Sequence, residues 1–72
     1  MTINKQLGYR IRYLRSQKGL TIEDLALEAN INRNYLGDLE RGMRNPTVVV
    51  LNKIAKALDI DLSILFEGIK EL

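Results

Sequence analysis

A 72-residue chain with 46% apolar residues is sized for one small domain with a limited core. It has neither cysteine nor histidine, which excludes disulfide bracing, Cys/His zinc sites and the imidazole of common nucleophile–base pairs. The net charge is only +2 but is unevenly placed: residues 1–22 are purely basic, 23–40 are acidic apart from Arg33, 41–56 are basic, and the rest is acidic apart from Lys70.

Such segregation suits a phosphate-facing side and an acidic far side. No apolar run approaches the ~20 residues of a membrane span, and no signal-peptide pattern follows Met1. The chain is therefore expected to be soluble and cytoplasmic, with residues 1–72 forming one domain.

Leu7, Ile11 and Leu14 recur with helical spacing and predict a first helix over residues 4–18. Gly8 within it permits close approach of another backbone, Gly19 is the stop, and Leu20 returns to the core. Arg10 and Arg12 read as solvated cations that steer a polyanion without specific contact.

Residues 21–41, TIEDLALEANINRNYLGDLER, read as two short helices joined by a tight turn. Thr21 caps the first of these, with Asp24 in the place of a capping-box partner. Ala26 must be small where the helices cross, and Asn30 tolerates the left-handed conformation a reversal demands. Asn32 caps the next helix, over residues 33–41, which Gly42 ends. Leu25, Ile31, Leu36 and Leu39 supply contacts between the two. Arg33, Asn34, Gly37, Asp38 and Arg41 remain outward, a polar face whose guanidiniums and amide pair well with base edges.

Pro46 and Thr47 precede a fourth helix reaching about residue 58, with Val50 or Leu51, Ile54, Ala55 and Leu58 inward. The run Val48, Val49 and Val50 alone would suit a strand, but the periodicity after it outweighs that preference. Asp61 is expected to cap a fifth helix over residues 62–69. Asp59 and Asp61 lack the glycine and downstream glutamate of a calcium loop, so capping is the preferred reading and no metal or cofactor is expected. Ile60, Leu62, Ile64, Leu65, Phe66, Ile69 and Leu72 exceed what so small a core needs. A symmetric dimer through Ile60, Leu65, Phe66 and Ile69 would cover the surplus.

The segments KGLT, EDLA, YLGDLERG, RNP and LNKIAKAL, at these spacings, resemble the Cro/repressor class of helix-turn-helix domains, the Xre family. The resemblance runs from about Leu7 to Phe66. It implies an all-α, compact five-helix bundle of the lambda-repressor-like type with a central helix-turn-helix. NRNYLGDLERGMRNPT is most similar to the controller proteins of restriction–modification systems, dimeric regulators that time endonuclease expression.

The resemblance implies base reading by Arg33, Asn34 and Asp38, and backbone or flanking contacts from Thr21, Tyr35, Arg44 and Asn45. It also implies a structural ion pair between Arg15 and Glu40. Two positions depart from the pattern. Ile22 stands where the family often carries a phosphate-holding glutamine, and Asn30 stands where glycine is common. Asp38 is an unusual reader, since phosphates repel it. It could accept from cytosine N4, or orient Arg41 or Arg33.

These readings converge on a non-enzymatic transcriptional regulator that binds a pseudo-palindromic DNA operator as a homodimer, with RNA polymerase a further candidate partner. No Gly-rich phosphate loop is present, and Ser16 and Ser63 have no evident base. The alternatives are a phage Cro-like repressor, an antitoxin, or a protein-interaction module on the same fold.

Overall fold

Thr2, Thr21, Asn32 and Thr47 each receive backbone N–H groups that a helix start would otherwise leave without partners. In the computed structural model, which describes residues 1–70, these caps open four of five helices. Leu72, counted above in the apolar tail, lies outside the described residues.

Helix α1 spans Ile3–Gln17, starting one residue earlier than the periodicity suggested, because Thr2 Oγ1 accepts from the Lys5 N–H at 3.2 Å. Helix α2 spans Ile22–Ala29 behind a full capping box: Thr21 and Asp24 exchange side-chain-to-backbone bonds, both 3.0 Å. Helix α3 spans Arg33–Glu40, with Asn32 Oδ1 accepting from the N–H groups of Asn34 and Tyr35 at 2.8 and 3.1 Å. Helix α4 spans Val48–Ala57 behind Thr47. Its valine run is helical, and Val48 and Val49 are exposed while Leu51, Ile54 and Ala55 face the core.

Helix α5 spans only Leu62–Leu65, a single turn, and Asp61 precedes it without a side-chain cap bond. The longer helix over residues 62–69 is therefore not formed. The Ile64 carbonyl, which would continue the ladder, accepts instead from Arg10 Nε at 3.0 Å and from the Glu67 N–H at 3.3 Å. Gly68, at φ +81°, then turns the chain away.

One ending recurs at the first four helices. Gly19, Asn30, Gly42 and Asp59 adopt positive φ, and the next residue donates back five positions: Leu20 to Arg15, Ile31 to Ala26, Met43 to Asp38, Ile60 to Ala55. This Schellman arrangement satisfies the last carbonyls and drops an apolar residue toward the body of the fold. Leu20, Ile31 and Ile60 pack against the core, whereas Met43 is exposed.

The core gathers Leu7 and Ile11 of α1, Leu25, Ala26 and Ala29 of α2, Leu36 and Leu39 of α3, and Leu51, Ile54, Ala55, Leu58 and Leu65 from the C-terminal half. Among the described residues no polar or charged residue is buried as a whole, although the Glu40 side chain is nearly covered. Helix α3 packs between α1 and α2, while α4 packs on α2 and α5. The α1–α3 contact is backbone to backbone. A Cβ on Gly8 would lie 2.5 Å from the Glu40 carbonyl oxygen and 2.6 Å from that of Leu39. Among the described residues no helix is long and apolar enough to cross a membrane.

Candidate nucleic-acid interface

The two bonds from Asn32 fix the first turn of α3, and with it the outward direction of Arg33 and Asn34, both exposed. Arg33 does not stand alone. Its Nε forms an ion pair with Glu23 Oε2 of α2 at 2.9 Å, with both side chains more than half exposed. Such a pair is worth little in water, so it is readily exchanged for another acceptor. Nothing in the local spacing of the sequence announced Glu23, which arrives through the angle between α2 and α3.

Asp38 lies one turn further on and accepts from Arg41 and from Arg44 Nε, the latter at 3.2 Å. Of the roles considered for it, the geometry gives the orientation of Arg41, adds that of Arg44, and leaves Arg33 to Glu23. Arg44 also sits over the Tyr35 ring, 5.6 Å from its centroid, a cation–π contact that fixes the loop against α3. Tyr35 is half-buried and packs against the core edge.

The flanking residues are close by. Thr21 Oγ1 is engaged as a cap acceptor, and the residue is exposed at the start of α2. Asn45 Oδ1 accepts from Asn4 Nδ2 at 2.5 Å, which ties the loop to α1 and commits the carbonyl while sparing the amide N–H groups. Gly37, read from the sequence as outward, is buried: it forms the floor of a groove of about 300 Å³ walled by Ile22, Arg33, Asn34, Asp38 and Arg41.

Behind this face, Arg15 and Glu40 form a bidentate pair across α1 and α3, Nε to Oε2 at 2.7 Å and a terminal nitrogen to Oε1 at 2.9 Å. A third donor of Arg15 reaches the Leu20 carbonyl at 2.9 Å. Hydrogen bonding to Glu40 raises the Arg15 pKa further above its ordinary value, against the opposing effect of burial, so the guanidinium stays charged.

Arg10 is not the solvated cation the sequence suggested. It holds the Ile64 carbonyl, lies 3.9 Å from Glu67 and stacks over Tyr13. Beside it the Gln6 amide exchanges two 2.9 Å bonds with the backbone of Lys70, so α1 clasps the C-terminal segment. Neither contact had a signal in the sequence, because both join residues more than fifty positions apart.

The residues expected at a dimer face divide. Phe66 is exposed, and Ile60 and Ile69 are partly buried beside the core. Leu65 is wholly buried within the chain's own core, because the single turn of α5 points it inward. It cannot itself meet a partner.

A helix-turn-helix family model matches residues 11–65, most of the chain and all of α2, the turn and α3. The chain belongs to the helix-turn-helix family of Cro/repressor, or Xre, type. Family members include an uncharacterised HTH-type transcriptional regulator, y4dJ, of Sinorhizobium fredii, 42% identical over 83% of this chain and 78% of that protein. The control protein C.BamHI of Bacillus amyloliquefaciens is 40% identical over the same shares. The chain spans half or less of some longer relatives, such as SlrR of Bacillus subtilis at 41% of its length.

Among solved structures, the restriction–modification controller protein C.AhdI from Aeromonas hydrophila superposes with a TM-score of 0.84 at 45% identity, covering 89% of this chain and 96% of that one. The controller protein C.Esp1396I, solved as a tetramer on its natural 35 base-pair operator, gives 0.86 at 33% identity over 96% and 91%. The five-helix, all-α fold implied by the sequence is the fold of this family, and the family is one of transcriptional regulators.

Proposed function

We propose that this protein is a sequence-specific DNA-binding transcriptional regulator that sits as a homodimer on a pseudo-palindromic operator upstream of its own gene, and that it is a restriction–modification controller. One observation carries the reading: a capped, rigid α3 presents Arg33, Asn34 and Asp38 on one face, flanked by Thr21, Tyr35, Arg44 and Asn45. Arg33 can reach guanine O6 and N7 with two parallel bonds, and Asn34 can pair with adenine. Asp38 acts through Arg41 and Arg44, holding two cations at the edge of the groove, and reads a base only where cytosine N4 comes within reach. Thr21, Arg44 and the N–H groups of Asn45 set the register on the phosphates.

One such domain covers too little DNA for tight specific binding. Two domains related by a twofold axis would place their α3 helices in successive major grooves about 34 Å apart. The dimer face is the rim of Phe66 with Ile60 and Ile69. The reading assigns no catalytic residue, cofactor or metal, and places the protein in the cytoplasm with the DNA. The operator-bound state of C.Esp1396I and the likeness to C.AhdI and C.BamHI favour the controller role over a phage repressor or an antitoxin.

The test is fluorescence anisotropy on the DNA upstream of the gene at two salt concentrations, with random DNA as control. Arg33→Ala should lose about 1–3 kcal/mol per half-site and relax preference at one base position. Arg44→Ala should weaken all sequences alike and lower the salt slope by about 1. Unchanged affinity of Arg33→Ala for both operator and random DNA would remove α3 from the role of reader.

A further inference from the structure

Gly37 and Ile22 form the apolar part of a groove otherwise lined by Arg33, Asn34, Asp38 and Arg41. A methyl placed on Gly37 would lie 3.6 Å from Ile22 Cδ1 and 3.4 Å from an Arg41 guanidinium nitrogen, with no other heavy atom nearer. Both are ordinary contact distances, so Gly37 leaves beside Ile22 an open floor that any larger residue would raise. Arg41 lies over this floor, its side chain 62% exposed and held at the groove edge by Asp38. The groove's volume of about 300 Å³ admits the edge of a base with its methyl.

The apolar group that the major groove of B-DNA displays is the 5-methyl of thymine. We infer that Ile22 and Gly37 form a receptor for the 5-methyl group of a pyrimidine, making Ile22 a specificity-determining residue of the interface. The inference rests on the DNA-binding reading above and deepens it. It also gives the departure at Ile22 a purpose. A glutamine there would hold phosphate and fill the groove with a polar amide, whereas isoleucine surrenders that bond and supplies an apolar wall.

Arg33 and Asn34 read hydrogen-bonding edges on one side of the groove, and Ile22 with Gly37 reads the absence of such an edge. The receptor therefore favours thymine over cytosine at a position adjacent to the one Arg33 reads. Cytosine there would place an N4 donor or a bare C5 against the apolar wall.

The experiment replaces each thymine of the upstream DNA that the protein binds in turn by deoxyuridine, which deletes only the methyl, and measures affinity by anisotropy against random DNA. Wild type should bind about three- to tenfold more weakly at one thymine per half-site, the effect of losing one buried methyl. Ile22→Gln should bind thymine and deoxyuridine equally at that position. Gly37→Ala keeps the fold, since its Cβ meets Arg41 and Ile22 only at 3.4 and 3.6 Å, and should reduce the same discrimination by raising the floor on which the methyl rests.

Tight binding over random DNA with a flat deoxyuridine scan would overturn the inference and leave the regulator reading standing. A sensitive thymine that stays equally sensitive in both variants would assign the methyl to another side chain, such as Tyr35, and overturn it as well. Equal affinity of wild type for upstream and random DNA would overturn the regulator reading itself.

Discussion

Gly8 and Gly37 both sit inside helices, where glycine costs stability relative to alanine, yet they should answer the same substitution in opposite ways. At Gly8 a Cβ would meet the backbone carbonyls of Glu40 and Leu39 at 2.5 and 2.6 Å, and backbone cannot yield as a side chain can. Gly8→Ala must push α1 from α3 and stretch the Arg15–Glu40 pair that spans them, costing about 1–3 kcal/mol of unfolding free energy. Gly37→Ala meets only the end of Arg41 and an Ile22 methyl at contact distance, so helix propensity prevails and stability rises by about 0.5–1 kcal/mol. Urea unfolding of the two variants measures both signs. A loss at Gly37 equal to that at Gly8 would contradict the account of the α2–α3 groove. The sequence made Gly8 legible as a point of close approach, because a mid-helix glycine needs a reason. It did not reveal that α3 was the element approaching. For Gly37 it misled, since helical periodicity places the residue outward and cannot anticipate Ile22 leaning over it from another helix.

Helix boundaries followed from local chemistry wherever a cap had a side-chain signature. Thr21 with Asp24, Asn32, and Thr47 were readable because a cap bonds within three residues of itself. Helix α5 was misjudged because its end is set by Arg10, from a helix fifty-four residues earlier, which takes the Ile64 carbonyl. The capping box carries a pH consequence. The Thr21 backbone N–H, and then its hydroxyl, hold the Asp24 carboxyl below the usual carboxylate range. Because folding lowers this pKa, the stabilisation is fully present above the unfolded aspartate value near ~3.9 and is lost as pH falls through the lower folded value. Thermal unfolding followed from pH 6 to pH 2 should therefore show wild type losing part of its advantage over Asp24→Asn below about pH 4. A constant difference between the two across that range would mean the carboxylate does not strengthen the cap. The box also orients the start of α2, where Thr21, Ile22 and Glu23 meet the interface, so its loss should soften DNA binding at low pH in parallel.

The assembled molecule places the candidate readers Arg33 and Asn34 on the exposed face of α3 and leaves an apolar rim at Phe66 toward the end of the chain. The separation follows from the path of α1, whose side chains tie α3 through Arg15 and the C-terminal segment through Gln6 and Arg10. That distribution was only partly legible. The surplus of apolar residues after residue 59 was plain in the sequence, but which of them the core consumes depends on where a single turn points. Leu65 is consumed wholly and Phe66 remains 40% exposed. This split makes the dimer testable without confusing assembly with folding. Phe66→Asp should keep the helical circular dichroism spectrum and the thermal transition of a folded domain while sedimenting as a monomer, because an aromatic anchor at a small interface is commonly worth about 2 kcal/mol or more. Leu65→Asp should unfold the chain, since it puts a charge into a wholly buried apolar position. Operator binding by Phe66→Asp should then weaken about thirtyfold or more and become steeply dependent on protein concentration, because each half-site now recruits a domain separately. A Phe66→Asp protein that still sediments as a dimer would move the interface away from this rim, and the exposed Val48 and Val49 at the start of α4 would be the next surface to substitute.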